Sequence, residues 1–253
     1  MTDINPMDLT GKNVMLVGTE SETCESLARQ LISLGSKLVA VDPDKSKLEE
    51  LVRVTGSDNF SIYSFNIFDN ALIENAISDI SNTFGVFDGF VYCAGSGGVK
   101  PLSFTNNEFI AGMMNFNLYP FVEIVRCLNK KGRFSEGGSI VALSSISSIK
   151  GLKSKTAYSA SKAALDASVR CIAAELGSKK IRVNSVMKGW TESDMKRDFI
   201  STNMELSEEN DVRRQFLGPT SSHELANLIA FLLSDATRTI TGTSIVIDGG
   251  YTL

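Results

Sequence analysis

Residues 12–42, KNVMLVGTESETCESLARQLISLGSKLVAVD, read as strand, turn, helix, turn and strand. Residues 12–17 are a short apolar run rich in β-formers, and Gly18 interrupts it. Leu27, Leu31 and Leu34 then recur at helical spacing within 24–34, and Gly35 supplies a stop. Residues 37–41 form a second apolar run, which ends on Asp42. Two such strands joined through a helix predict a parallel sheet with helices on its faces and a nucleotide site at the carboxyl ends of the strands.

The same alternation continues through the chain. Strands are predicted at 60–65, at 86–92, from Gly137-Gly138-Ser139 through Leu143, at 181–186 and within 241–250. Between them lie helices at 45–53, at 69–84, where Leu72, Ile73, Ala76, Ile77 and Ile80 share a face, across 106–130, and at 156–176. The last helix, 221–234, has Ser221 or Ser222 as its cap and Glu224 in its first turn, with His223 on the surface. The prediction is an α/β fold, a doubly wound parallel sheet of about seven strands with helices on both faces. With no repeat or linker, residues 1–253 read as one domain.

Chemistry concentrates at 145–162, SISSIKGLKSKTAYSASK. Tyr158 and Lys162 are four residues apart, so a helix puts phenol and ammonium on one face. A phenol with a pKa near 10 is a poor acid or base at neutral pH, but a nearby cation favours the phenolate and suits it to proton transfer. Ser145 ends the apolar run 140–143 and could hold a substrate oxygen beside that phenol.

Ser, twelve residues, Tyr, three residues, Lys resembles the active site of the short-chain dehydrogenase/reductase family, in its compact branch that includes 3-oxoacyl-acyl-carrier-protein reductases. Asn117-Leu118 and the ending Asp248-Gly249-Gly250 are similar to further motifs of that family. The resemblance runs from about Leu9 to Leu253. It implies a Rossmann-like fold and hydride transfer between a nicotinamide and a ketone or secondary alcohol. Tyr158 would be the acid/base, with its pKa lowered by Lys162; Ser145 would orient the carbonyl and Asn117 would support a proton relay. Cofactor contacts are implied at Gly18, Ser21, Asp42, Asn66, Ile67, Ala94, Gly95, Tyr158, Lys162, Gly189, Thr191 and Ser193. Asp42 is expected to accept from ribose hydroxyls and to oppose a 2′-phosphate, which favours NAD(H) over NADP(H). Residues 190–217 correspond to the substrate lid, and the small residues Ala157, Ala160, Ala163, Ala164 and Ala167 resemble a subunit interface, so a homodimer or homotetramer is expected.

The chain departs from the family in several places, among them Asn66 for an Asp and Ser193 for a Thr. Glu22 and Cys24 occupy two positions of the glycine turn that starts at Gly18. Tyr92-Cys93 replace the two amides of an Asn-Asn-Ala-Gly motif, a loss expected to loosen the central sheet, and Lys188 replaces a Pro. The altered glycine turn and Tyr92-Cys93 motivate a rival reading, a catalytically silent binding or scaffold protein of the same fold.

A net charge of −4 gives no reason to expect a nucleic-acid partner. No segment approaches the roughly 20 apolar residues of a membrane span, so a soluble cytoplasmic protein is expected. Cys24, Cys93, Cys127 and Cys171 are scattered and His223 is the only His, so neither a disulfide framework nor a metal site is expected. Lys150, Lys153 and Lys155, between Ser145 and Tyr158, could attract an anionic substrate.

Overall fold

The computed structural model describes residues 5–19, 22–194 and 214–253. Its seven strands are β1 (Asn13–Val17), β2 (Lys37–Asp42), β3 (Phe60–Ser64), β4 (Phe87–Tyr92), β5 (Phe134–Ser145), β6 (Arg182–Lys188) and β7 (Ser244–Ile247). They form one parallel sheet in the order β3-β2-β1-β4-β5-β6-β7. The helices are α1 (Glu22–Ser33), α2 (Lys45–Thr55), α3 (Asn70–Phe84), α4 (Asn107–Asn117), α5 (Tyr119–Leu128), α6 (Thr156–Leu176) and α7 (Ser222–Leu233). The Rossmann-like sheet expected from the sequence is present.

Alternate residues of each strand serve opposite layers. Met15 and Val17 join a core with Ile73 and Ile77 of α3, Phe121 and Ile124 of α5, and Leu165 and Val169 of α6. Val14 and Leu16 join the other core, with Leu27 and Leu31 of α1, Leu48 of α2, and Leu225 and Ile229 of α7. Both faces are covered, which is why these strands read as unbroken apolar runs. Each buried Leu or Ile contributes about 1.5–3 kcal/mol, more than intrinsic helix propensity supplies, so the helices are held chiefly by this packing. Ser221 and Glu224 cap α7 reciprocally, as expected.

The helix expected across 106–130 is two helices. Leu118, at φ −122° and ψ −56°, separates α4 from α5. Pro120 causes the break, because it has no N–H to offer the Phe116 carbonyl four residues earlier. The Tyr92 hydroxyl donates to that carbonyl instead, at 3.0 Å. Leaving a buried acceptor unpaired costs about 1–3 kcal/mol, so Tyr92 completes the kink. The expected loosening of the sheet is therefore absent: Tyr92 is fully buried against Phe121, and the N–H groups of Cys93 and Ala94 both donate to Val17 O, at 2.8 and 3.0 Å.

Glu74 of α3 and Glu123 and Cys127 of α5 bring three potential metal ligands together. Glu74 already accepts from Lys130 at 2.6 Å, Arg126 at 2.9 Å and Arg133 at 3.2 Å. The cluster is an ion-pair clasp between α3 and the end of α5.

Strand order reverses between β1, which pairs with β2 on one side, and β4 on the other. The crevice beyond the carboxyl ends of β1 and β4 is where such sheets take ligands. Gly18 and Ala94 face each other there.

Candidate active site

Ser145 is the last residue of β5, Tyr158 and Lys162 lie one turn apart on α6, and Asn117 ends α4. The fold brings all four together. The Lys162 ammonium donates to Leu143 O of β5 at 2.9 Å, and the Ser145 hydroxyl lies near enough to the Tyr158 phenol to pull its pKa down. Asn117 is fully buried. Its Oδ1 accepts from Ser96 N at 3.0 Å, and its Nδ2 donates to Ser96 O at 3.1 Å and to Ser161 Oγ at 3.0 Å. Ser161 Oγ in turn donates to Tyr158 O at 2.7 Å. Asn117 thus ties the loop after β4 to the helix that carries Tyr158 and Lys162. Gly95 permits this, since a Cβ there would lie 2.5 Å from Asn117 Oδ1 and 3.4 Å from Lys162 Nζ.

The electrostatics differ from the simple expectation of a lysine depressing a tyrosine. Burial raises the Tyr158 pKa, the Ser145 hydroxyl opposes this, and the charges of Asp194 and Asp166 add to the rise. The Lys162 ammonium points at a backbone carbonyl, and burial brings its own pKa down to about 8, against the attraction of Asp166. Asp166, one turn further along α6, is 2% exposed and accepts from Ser144 Oγ at 3.0 Å and Ser185 Oγ at 2.7 Å. The sequence reading missed this buried carboxylate, although its position four residues after Lys162 was a signal.

On the nucleotide side, Gly18 has φ +89°, and a Cβ there would sit 2.6 Å from Ala94 Cα. Asp42 Oδ2 accepts from Thr19 N at 2.7 Å and Oδ1 from Asp44 N at 2.9 Å, so the β2 tip fixes the β1 turn. Thr19 Oγ1 is buried without a partner, an orphaned hydroxyl that a bound ligand would satisfy. The narrow glycine crevice, that hydroxyl and the carboxylate at the tip of β2 fit a dinucleotide. Ser21 lies outside the described residues. Asn66 is exposed with its Oδ1 accepting from Phe68 N at 3.1 Å, and Ile67 is buried in the core. Glu22 is exposed at the start of α1. Cys24 lies close enough to Cys93 to push its thiol pKa up, so two of the departures from the family motifs meet between α1 and the end of β4.

After β6, Gly189 passes so close to Gln215 and Asp248 that a Cβ would be 2.5 Å from Gln215 Oε1. Gln215, which the sequence reading left in the lid, is 3% exposed; it accepts from Trp190 N at 2.6 Å and donates to Trp190 O at 3.1 Å. The Thr191 N–H donates to Asp194 Oδ2 at 3.3 Å, and the Thr191 and Ser193 hydroxyls are 3.0 Å apart. Lys188, beside Ser145 in the β5–β6 register, pairs with Asp194. Most of the lid, 195–213, lies outside the described residues.

The family described as enoyl-(acyl carrier protein) reductase matches residues 19–252. The chain is 28% identical to the NADH-dependent enoyl-acyl-carrier-protein reductase of Bacillus subtilis, over 96% of each chain. It is 31% identical to the 3-oxoacyl-acyl-carrier-protein reductase of Rickettsia conorii, over 96% of this chain and 98% of that one. Among solved structures, a dehydrogenase/reductase from Sinorhizobium meliloti superposes with a TM-score of 0.89 at 24% identity, covering 98% of each chain.

Proposed function

The chain belongs to the short-chain dehydrogenase/reductase family and is an NAD(P)-dependent oxidoreductase, and we propose that it interconverts a ketone and a secondary alcohol on a small molecule. The observation that supports this reading is the Ser145 hydroxyl acting on the Tyr158 phenol, one helical turn from the buried Lys162. Two hydroxyls converge where one substrate oxygen can accept from both. In reduction Tyr158 gives its proton to that oxygen as negative charge develops, while Ser145 holds the oxygen in line. Lys162 supplies positive charge next to the proton donor, and Asn117 keeps Ser161 and the Gly95 turn in position. A bound nicotinamide supplies or accepts the hydride.

Gly18, Thr19, Asp42, Ala94 and Gly95 would hold the adenosine and diphosphate side, with Asn66 and Ile67 near the adenine. Tyr158, Lys162, Gly189, Thr191 and Ser193 would hold the nicotinamide side. The Asp42 charge opposes a 2′-phosphate, so NAD(H) is favoured over NADP(H). A 3-oxoacyl thioester is the first substrate to try. The half-buried Ala163, Ala164 and Ala167 with the exposed Ala160 support a homodimer or homotetramer built on α6. Four free thiols fit a cytoplasmic location, and no helix among the described residues is long and apolar enough to cross a membrane.

The test is to follow oxidation of NADH and NADPH with acetoacetyl and crotonyl thioesters. Acetoacetyl reduction, faster with NADH, is the expected result. Failure of every ketone and alcohol with both cofactors would overturn the reading. Turnover of the crotonyl thioester alone would favour a second reading, reduction of a carbon–carbon double bond, which the name of the Bacillus relative motivates.

A pH dependence follows as well. The Lys162 pKa is depressed to about 8, so its ammonium is present below that pH and lost as pH rises through it. Since kcat/KM reports groups of the free enzyme, kcat/KM for reduction should fall above about pH 8, and Lys162→Arg should move that limb upward. A profile flat through this region removes the Lys162 charge from the mechanism.

A further inference from the structure

We propose that Lys155 anchors an anionic group of the substrate, so that ketones with a carboxylate close to their carbonyl are taken in preference to neutral ones such as the acetoacetyl thioester; this rests on the carbonyl reading above and refines its substrate class. The ammonium of Lys155 lies 5.8 Å from the centre of the Tyr158 ring and 5.2 Å from that of Trp190. Both distances fall within the roughly 6 Å at which a ring face attracts a cation. Such contacts fix where the cation sits without neutralising it, and an ammonium has three donors to offer.

Three other lysines around the site are committed, and Lys153 is exposed. Lys162 donates to Leu143 O at 2.9 Å, Lys188 pairs with Asp194, and Lys150 donates to Tyr251 O at 3.2 Å and lies over the Tyr251 ring. Lys155 has no carboxylate within ion-pair distance among the described residues. A half-buried, uncompensated cation therefore borders the phenol that holds the substrate oxygen. In a chain of net charge −4, a fixed positive charge at this point selects for an anion there. A neutral ketone would leave it unused. The sequence pattern had grouped Lys150, Lys153 and Lys155 as equivalent; the ring contacts with Tyr158 and Trp190 single out Lys155.

Trp190 is the only tryptophan in the chain, so its emission reports binding at this spot without turnover. The probes are pyruvate, acetoacetate and levulinate, whose carboxylates stand progressively further from the ketone, each paired with its methyl ester. Titrations are run with saturating NAD⁺, and reductions with NADH. One or more of the acids should perturb Trp190 more tightly than its ester and be the better substrate. In Lys155→Met, which keeps the apolar stem, the acid-to-ester ratio in both Kd and kcat/KM should fall about 10- to 100-fold, the worth of one hydrogen bond to a charged group. Lys155→Arg should restore most of it.

An unchanged ratio in Lys155→Met overturns the proposal, and so does equal binding of acids and esters. Turnover of esters with no acid bound overturns it too, while leaving the carbonyl reading intact. Acids that bind through Lys155 yet are never reduced, with the esters equally inert, would sink the carbonyl reading and keep the anion anchor.

Discussion

Tyr158→Phe is expected to lower kcat for ketone reduction by about 10²–10⁴-fold, the usual worth of a positioned general acid, while the protein stays folded and still binds NADH. The substitution removes one oxygen and keeps the ring that lies beneath Lys155. Ser145 is not left orphaned, because its Oγ also donates to Ser147 Oγ at 3.1 Å and accepts from Ser147 N at 3.2 Å. The stability change should therefore be small. Kinetics with acetoacetyl thioester and calorimetry with NADH separate the possibilities. Unchanged turnover would mean that the proton comes from elsewhere, and the assignment of Tyr158 would fail. Loss of NADH binding in parallel with turnover would make Tyr158 a binding residue. A silent scaffold predicts no turnover to lose, and it gives no reason to bury an ammonium beside a phenol.

What could be read from the sequence was local, and what could not was the pairing of distant residues. The first strand, helix and second strand, the α6 face with Tyr158 and Lys162, and the cap at Ser221 and Glu224 each depend on spacings of a few residues, and the structure has them where the pattern put them. The break at Leu118 was partly legible, since Pro120 cannot continue a helix. Its completion by Tyr92, from a strand 24 residues earlier, was not. Tyr92 and Cys93 looked like two losses from a family motif when taken one at a time. In three dimensions Tyr92 satisfies the carbonyl that Pro120 leaves free, and Cys93 meets Cys24, the residue in a glycine position of the first turn. Departures that look like erosion along the chain are matched across it. The Tyr158 phenol carries the same lesson: four-residue spacing brought Lys162 onto its face, but burial, which spacing does not encode, sets the upward direction of its pKa against the opposing influence of Ser145.

Gly18→Ala should be the most damaging change on the nucleotide side. Gly18 combines φ +89° with a backbone approach in which an added Cβ would stand 2.6 Å from Ala94 Cα and 2.9 Å from Ala94 Cβ. Ala94 cannot retreat cheaply, because its N–H donates to Val17 O at 3.0 Å and its neighbour Cys93 does the same at 2.8 Å. Left-handed backbone at a non-glycine costs about 1–3 kcal/mol and overpacking a further 1–3, so a loss of about 2–6 kcal/mol is expected. In a chain of this size that lowers Tm by about 5–20 °C. Gly97→Ala is the control: a Cβ at Gly97 meets nothing within 4 Å, and stability should move by no more than about 0.5 kcal/mol. The functional consequence comes from the same geometry. Relief of the clash must part β1 from β4, and this moves Thr19 away from the Asp42 carboxylate that positions the turn at 2.7 Å. NADH affinity should then fall by more than the loss of folded protein explains, which calorimetry well below the lowered Tm can measure. A destabilised Gly18→Ala protein that binds NADH as well as the parent would mean that the dinucleotide does not lie in this crevice. Unchanged stability would mean that β1 and β4 are free to separate at their ends.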